Sequence, residues 1–425
     1  MAKPDKARVT AVALITDVIE NAKLLSDLTF GPKFLALSSA ERARAQRLAT
    51  ECLRTIERAD RILNTYLQKK PPIKILNILR LATFELSTGG DAHGVVNDAV
   101  TIAAMDRKHA MFKGLVNAVL RKVAKSGPEQ WAKLRAARIP IWLRRPLKEV
   151  YGGEVMSAIE RVQSNIPPVD LTPKDPNRAE EIASLLSGEV VLGQSVRLNA
   201  PGQISKLYGF DRGEWWVQDA AAALPVRLLG DTRGRTALDL CAAPGGKTLQ
   251  LAALGATVTA IDVSERRLKR LTQNLERTGL NADIKVMDLF ALQEGQFDVI
   301  VLDAPCSATG TMRRHPDLPY AKDGSEFLNL IELQRKMLRH ALGLLAPNGR
   351  LVYCTCSLLP DEGEAQVEAL ITENVQIEID PGTFQHPNVD PTWVVDDLGL
   401  RLRPDYLAEQ GGMDGFFITV LHKKG

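Results

Sequence analysis

The stretch from Ala237 to Leu254 constrains the fold more than any other. It opens with the apolar run Ala237-Leu238-Asp239-Leu240, which has the character of a buried parallel strand, and passes through Cys241-Ala242-Ala243-Pro244-Gly245-Gly246-Lys247. It closes with Thr248-Leu249-Gln250-Leu251-Ala252-Ala253-Leu254, whose apolar spacing is helical and which stops at Gly255. A strand, a glycine-bearing turn and a helix in that order leave bare backbone N–H groups and the positive end of a helix dipole beside a small-molecule pocket. The turn therefore reads as a cofactor site in an open α/β sheet.

Three cofactor chemistries compete for it. A dinucleotide loop needs G-x-G-x-x-G, but here the glycines are adjacent and Pro244 precedes them. A P-loop is a closer match, since Gly246-Lys247-Thr248 fits its end and Val299-Ile300-Val301-Leu302-Asp303 could be the strand that ends in a magnesium-associated acid. Against it, Cys241 stands where the first glycine belongs, and Pro244 removes a donor from a loop whose purpose is donation. S-adenosylmethionine is the third. Its carboxylate needs N–H donors and its ribose an acidic acceptor one strand on, where Asp262 ends Thr257-Val258-Thr259-Ala260-Ile261.

The chain has 425 residues, room for two or three domains, and an ordinary globular composition. Early charges at Lys3, Asp5, Lys6 and Arg8 argue against a signal peptide, and no run of 18 apolar residues occurs, so a cytoplasmic location without membrane contact is expected. Five cysteines, Cys52, Cys241, Cys306, Cys354 and Cys356, are then packing or catalytic rather than bridged. The net charge of +3 conceals an asymmetry. Residues 1–150 hold 27 Lys and Arg against 14 Asp and Glu, a net of +13, and the remainder 27 against 37, a net of −10. A basic front end of that size suits a polyanion such as nucleic acid, with a solvated lysine-rich helical surface as the alternative.

That front end reads as helix. Ser38-Ser39-Ala40-Glu41 is a capping box, and Leu48, Cys52, Ile56, Ala59 and Leu63 follow at spacings of three and four. Further stripes run through Ile75, Leu79, Ala82 and Leu86, from Val95 to Met105, and from Gly114 to Val123, with Gly127-Pro128 as the break. His93 is expected to cap or pack rather than touch a ligand. Pro140, Pro146 and Gly152-Gly153 divide the next segment into short connecting helices anchored by Trp131 and Trp142. A small α/β segment opens at Pro167-Pro168, and Trp215-Trp216 lead into the cofactor domain as core residues.

Beyond Asp262 the βα alternation continues. A helix from Glu265 to Thr278 precedes the strand Ile284-Lys285-Val286 and Asp288, an acid able to accept from an adenine amino group or to cap a helix. Two further strands end in Asp303-Ala304-Pro305-Cys306-Ser307 and Cys354-Thr355-Cys356-Ser357. In a doubly wound sheet both ends face the cofactor crevice. Zinc is the rival for such cysteines, but a fourth ligand at usual spacing is missing, and no metal is expected. A thiol beside a sulfonium methyl suits cytosine C5, a poor nucleophile until a thiolate adds at C6 and makes the ring an enamine. A carboxylate at the ring N3 would stabilise the adduct, and Asp303 is available. The loop Arg313-Arg314-His315-Pro316 is expected at the pocket mouth, its arginines on phosphate.

Asp303-Ala304-Pro305-Cys306-Ser307 with Thr355-Cys356-Ser357, the phrases His93-Gly94-Val95-Val96-Asn97-Asp98-Ala99-Val100 and Gly114-Leu115-Val116-Asn117-Ala118-Val119-Leu120-Arg121, and the closing Asp414-Gly415-Phe416-Phe417 together resemble the bacterial ribosomal RNA cytosine-C5 methyltransferases of the RsmB (Fmu/Sun) type, within the NOL1/NOP2/Sun group. The resemblance covers essentially the whole chain. It implies that Cys356 is the nucleophile and that Cys306 assists release of methylated RNA. It also implies that Cys241, Ala242, Ala243, Pro244, Gly245, Gly246, Lys247, Asp262, Asp288 and Asp303 line the S-adenosylmethionine site, with small-subunit ribosomal RNA as substrate; separately, a monomer is expected. Cys354 departs from the pattern and is expected to be a small core residue. The expected architecture is a NusB-like all-α RNA-binding bundle over 1–127, a helical linker over 128–165, a small α/β subdomain over 166–215, and a Rossmann-like methyltransferase domain with a mostly parallel, doubly wound sheet over 216–425. A transfer RNA methyltransferase, an inactive RNA-binding assembly factor and a P-loop ATPase are the alternatives.

Overall fold

The computed structural model of the chain describes residues 3–373 and 376–423. Two compact units result, one of residues 1–166 with 312–324 and the other of residues 167–311 with 325–425.

The first unit is helical: α1 (Lys6–Asn21), α2 (Ser39–Leu63), α3 (Ile73–Ser87), α4 (Ala92–Ala104), α5 (Lys113–Lys133) and α6 (Ile141–Gln163). The capping box at Ser38 is formed, its hydroxyl taking the Glu41 N–H and the Glu41 carboxylate taking the Ser38 N–H. From there α2 buries Leu48, Ala49, Cys52, Leu53, Ile56 and Ala59 against α1 and α3 in one core.

Some sequence expectations fail in this unit. Gly127-Pro128 does not end α5, which continues to Lys133. The missing donor of Pro128 is outweighed by Trp131, which is buried against Phe84 with ring centroids 6.3 Å apart and carries the Arg58 guanidinium 4.3 Å from its ring. Pro146 does not divide the next segment and lies inside α6, whereas the expected break at Gly152-Gly153 is present: Gly152, at φ 79°, is non-helical and separates two helical stretches within α6. Arg313, expected to meet phosphate at a pocket mouth, is wholly buried in this unit, where its carbonyl accepts from the Arg54 guanidinium at 2.6 Å. Its segment is held inward, since the Asp317 carboxylate accepts the Leu25 N–H at 2.9 Å and the Pro319 carbonyl accepts Trp142 Nε1–H at 3.0 Å.

The second unit opens with a small antiparallel sheet of β1 (Val169–Pro173), β2 (Glu189–Val191), β3 (Ser195–Leu198) and β4 (Trp215–Val217), in order β2-β3-β1-β4, with α7 (Ala179–Leu186) against it. Trp215 and Trp216 are core residues. After α8 (Ala220–Leu228) comes the large sheet. Its strands are β5 (Thr236–Leu240), β6 (Thr257–Asp262), β7 (Asp283–Val286), β8 (Phe297–Asp303), β9 (Leu345–Thr355), β10 (Ile377–Ile379), β11 (Val394–Val395), β12 (Gly399–Leu402) and β13 (Phe416–Lys423). The order is β11-β12-β13-β9-β8-β5-β6-β7, with β10 beside β13. Strands β7, β6, β5, β8 and β9 are mutually parallel, and β13 runs antiparallel to β9. Helices α9 (Gly246–Ala253), α10 (Glu265–Thr278), α11 (Phe327–Gly343) and α12 (Glu364–Thr372) complete the layers. This is a Rossmann-like, mostly parallel sheet. Helix α11 ends at Gly343, and Pro347-Asn348-Gly349 lies inside β9, where its pairing with β8 is irregular.

The register sets the site. Leu240 lies beside Ile261 and Leu302, Leu302 beside Tyr353, and Asp303 beside Cys354, so the carboxyl ends of the central strands stand level. In such a sheet ligands bind at that edge.

Candidate active site

The turn after β5 is anchored from below. Ala242 and Ala243 are buried with Leu249, Leu268, Leu271 and Leu275, so the loop is fixed to α9 and α10. Cys241 has φ 65° and Gly245 φ 110°. A Cβ on Gly245 would lie 2.4 Å from Leu271 Cδ1, so only glycine lets the chain enter α9 this way. The start of α9 thus presents backbone N–H groups.

The acids occupy different positions. Asp262 is buried at the end of β6, where its carboxylate accepts the Ala243 N–H at 3.2 Å, the Ser264 N–H at 2.8 Å and an Arg267 N–H at 2.8 Å. Asp288 is exposed two residues past β7, and its carboxylate accepts the Phe290 N–H at 3.0 Å as the cap of a single helical turn. Asp303 lies at the end of β8 with its side chain 33 % exposed and receives Lys247 Nζ at 2.7 Å. Burial depresses the Lys247 ammonium, but Asp303 outweighs it and the group is held above the ordinary lysine range. Sequence reading missed this ion pair, because 56 residues separate its members.

Each thiol has its own environment. Cys306 and Cys356, both half-buried, bring their sulfurs to 3.4 Å. The hydrogen bond with Cys356, then burial, then the charges of Cys356 and Glu362 push the Cys306 thiol well above the usual range. Cys354 is wholly buried, donates to Asp303 at 3.5 Å, and is pushed up chiefly by burial. Burial and the carboxylates of Asp303, Asp262 and Asp239 raise Cys241 to about 12. Of the four thiols at this edge, two are thus inert and two face each other.

Backbone and side-chain bonds tie the two thiol-bearing tips. Ala304 N–H donates to the Cys354 carbonyl at 3.0 Å and Gly310 N–H to the Cys356 carbonyl at 2.9 Å. Beneath them lies Glu362, which nothing in the sequence singles out among Asp361, Glu362 and Glu364. Its carboxylate accepts the Ser307 N–H at 2.8 Å, Gln334 Nε2 at 2.9 Å and the Ser357 hydroxyl at 2.5 Å.

A glycine-bearing turn at the start of a helix, a buried acid on the next strand and a thiol pair two strands away define an S-adenosylmethionine-dependent methyltransferase. The donor set fits that cofactor: N–H groups without side-chain obstruction for a carboxylate, and Asp262 beside them for ribose hydroxyls. A P-loop reading fails because Lys247, which would have to reach phosphate, is committed to Asp303.

Comparison with known proteins narrows the class. Residues 226–422 match the family described as 16S rRNA methyltransferase RsmB/F, and residues 5–125 match the NusB family. The chain is 33 % identical to the ribosomal RNA small subunit methyltransferase B of Cronobacter sakazakii and 32 % identical to that of Escherichia coli O6:H1, with all of each chain covered. A methyltransferase homologue from Pyrococcus horikoshii superimposes with a TM-score of 0.55 at 26 % identity, covering 66 % of this chain and 93 % of that one. The chain belongs to the RsmB/F methyltransferase family, with a NusB-type helical domain ahead of the catalytic one.

Proposed function

We propose that this enzyme transfers the methyl group of S-adenosylmethionine to C5 of a cytosine in small-subunit ribosomal RNA, through a covalent bond between Cys356 Sγ and C6 of the ring. Family membership supports the reaction class and the substrate, since the full-length relatives are named for small-subunit ribosomal RNA. The observation that carries the mechanism is the 3.4 Å approach of Cys306 and Cys356. A second thiol this close can return a proton to the nucleophile's sulfur when that sulfur is expelled.

Cys356 adds to C6 while the thiol proton passes to the ring N3. Asp303 accepts a hydrogen bond from that N3–H, and the Lys247 ammonium orients the carboxylate from its far side. When bound, S-adenosylmethionine supplies the electrophilic methyl group that C5 of the resulting enamine takes. The turn Cys241–Lys247, with Asp262 and Asp288, holds it. For release the C5 proton leaves to water and its bonding pair forms C5=C6, the C6–S electron pair returns to the Cys356 sulfur, which takes the Cys306 proton, and the N3 proton is given up to restore the Cys306 thiol. Keeping Cys306 protonated, as burial and its neighbours do, suits it to that step.

The helical unit supplies RNA affinity in this reading. Between α4 and α5 it has a groove of about 630 Å³. The walls carry His93, Asn97, Asn117, Arg121 and Lys125, above Val96 and Val100. Exposed His93 neither caps α4, where Asp91 takes the Gly94 N–H, nor packs in the core. Among the described residues no helix is long and apolar enough to cross a membrane, and with an RNA substrate the site of action is the cytoplasm.

Cys356→Ala tests the assignment. It should abolish methyl transfer to RNA while leaving the thermal shift caused by S-adenosylmethionine unchanged. Retained turnover would reject the mechanism.

A further inference from the structure

One buried carboxylate reaches the backbone or side chain of the residue that follows each thiol. Ser307, after Cys306, donates its N–H to Glu362 Oε1, and Ser357, after Cys356, donates its hydroxyl to Glu362 Oε2. Glu362 itself is wholly buried in the turn Pro360–Glu362, and its main-chain carbonyl accepts from the Tyr353 hydroxyl at 2.9 Å and the Thr355 hydroxyl at 3.0 Å. The side chain therefore has little freedom to move. A buried carboxylate with three donors aimed at it is costly to lose, because those donors would be left without a partner.

The two thiols do not depend on it equally. Cys356 follows directly on β9, whose pairing with β8 and β13 runs to Cys354 and Thr355. Cys306 lies three residues past the end of β8, in a segment without regular structure. That segment is held by Gln334 Nε2 on the Pro305 carbonyl at 2.9 Å and by Glu362 on the Ser307 N–H, and Gln334 is itself oriented by Glu362. These two ties flanking Cys306 lead to one carboxylate; the Ala304 and Gly310 backbone bonds and the 3.0 Å contact of the Ser307 and Ser357 hydroxyls remain without it, so its loss loosens Cys306 more than Cys356.

We propose that Glu362 is a positioning residue that holds Cys306 against Cys356 and thereby sets the rate of RNA release rather than the rate of methyl transfer. The proposal rests on the covalent mechanism above. It also has an electrostatic side. The ionisable groups facing Cys306 are Cys356, Glu362 and Tyr353, with Arg401 beyond them, paired to Glu364 and donating to the Ser357 carbonyl. The neighbouring Cys356 sulfur, then burial, then Glu362 hold the Cys306 thiol above its usual range.

The test compares Cys306→Ala, Glu362→Ala and Glu362→Gln with wild type, by single-turnover methylation of ribosomal RNA and by a denaturing gel for covalent protein–RNA adduct. Glu362→Ala should methylate within about tenfold of wild type yet retain an adduct band as Cys306→Ala does, because the release partner is no longer held in place. Glu362→Gln, whose amide oxygen can accept from Ser307 N–H and Gln334 and whose NH2 can donate to the Ser357 hydroxyl oxygen, should clear the adduct as wild type does. An adduct in Cys306→Ala with none in Glu362→Ala, or equal losses of transfer and release, would overturn the proposal. An adduct retained by Glu362→Gln as strongly as by Cys306→Ala overturns it even if the alanine variant does not fold. No band in any variant, Cys306→Ala included, would overturn the covalent mechanism and this assignment with it.

Discussion

At the scale of single residues, the environment of each thiol decides its use. Four cysteines sit at one sheet edge, and the sequence nominated Cys356 only by its Thr355-Cys356-Ser357 frame. Burial now separates Cys354 and Cys241 from the pair, a distinction that spacing alone could not supply. What the sequence could not show was the partner of each charge, since Lys247 with Asp303 and Glu362 with Ser307 meet only through the sheet. Asp239, at 1 % exposure on β5, is another such case. One of its oxygens takes the Thr248 hydroxyl at 2.5 Å, and burial pushes its carboxyl up to about 7. A carboxyl raised in the fold keeps a proton that the unfolded chain gives up above about pH 4. Stability contributed by this site should therefore fall between about pH 4 and 7, by at most about 1.4 kcal/mol per pH unit, and level off above. Melting curves of Asp239→Asn should lack that component; an unchanged pH dependence would show that Asp239 titrates normally.

At the scale of elements, the strand–turn–helix unit was legible because its signals are local: an apolar run, two glycines, then a helical period. The register that levels β5, β6, β8 and β9 was accessible only through the rule that parallel strands present their carboxyl ends together. Elements whose fate rests on tertiary packing were misread. α5 runs through Pro128 because Trp131 has a site in the core, and the Arg313 segment turns inward because Asp317 and Pro319 have partners there. Gly245 gives the element-scale prediction. Gly245→Ala places a methyl group against Leu271 at a φ of 110°, with strain of about 1–3 kcal/mol. Calorimetric affinity for S-adenosylmethionine should fall at least about tenfold. Equal affinity in the variant would mean that the turn relaxes without cost.

At the scale of the whole molecule, residues 1–150 carry a net charge of +13 and the remainder −10, and the proposed division gives RNA affinity to the first and chemistry to the second. Arg121 and Lys125 make no ion pair among the described residues, so their charge is available to phosphate. Arg121→Glu with Lys125→Glu should weaken RNA binding and make the dependence of log Kd on log salt shallower by about 1 for each phosphate no longer neutralised, leaving the S-adenosylmethionine affinity intact. An unchanged salt slope would exclude the groove. The central claim, that Cys356 bonds to the base, is tested most directly with RNA containing 5-fluorocytosine, whose C5 has no proton to lose after methylation. Digestion and mass spectrometry of the stalled complex should find the nucleotide on the peptide bearing Cys356; its attachment at Cys306, or no attachment at all, would contradict the account.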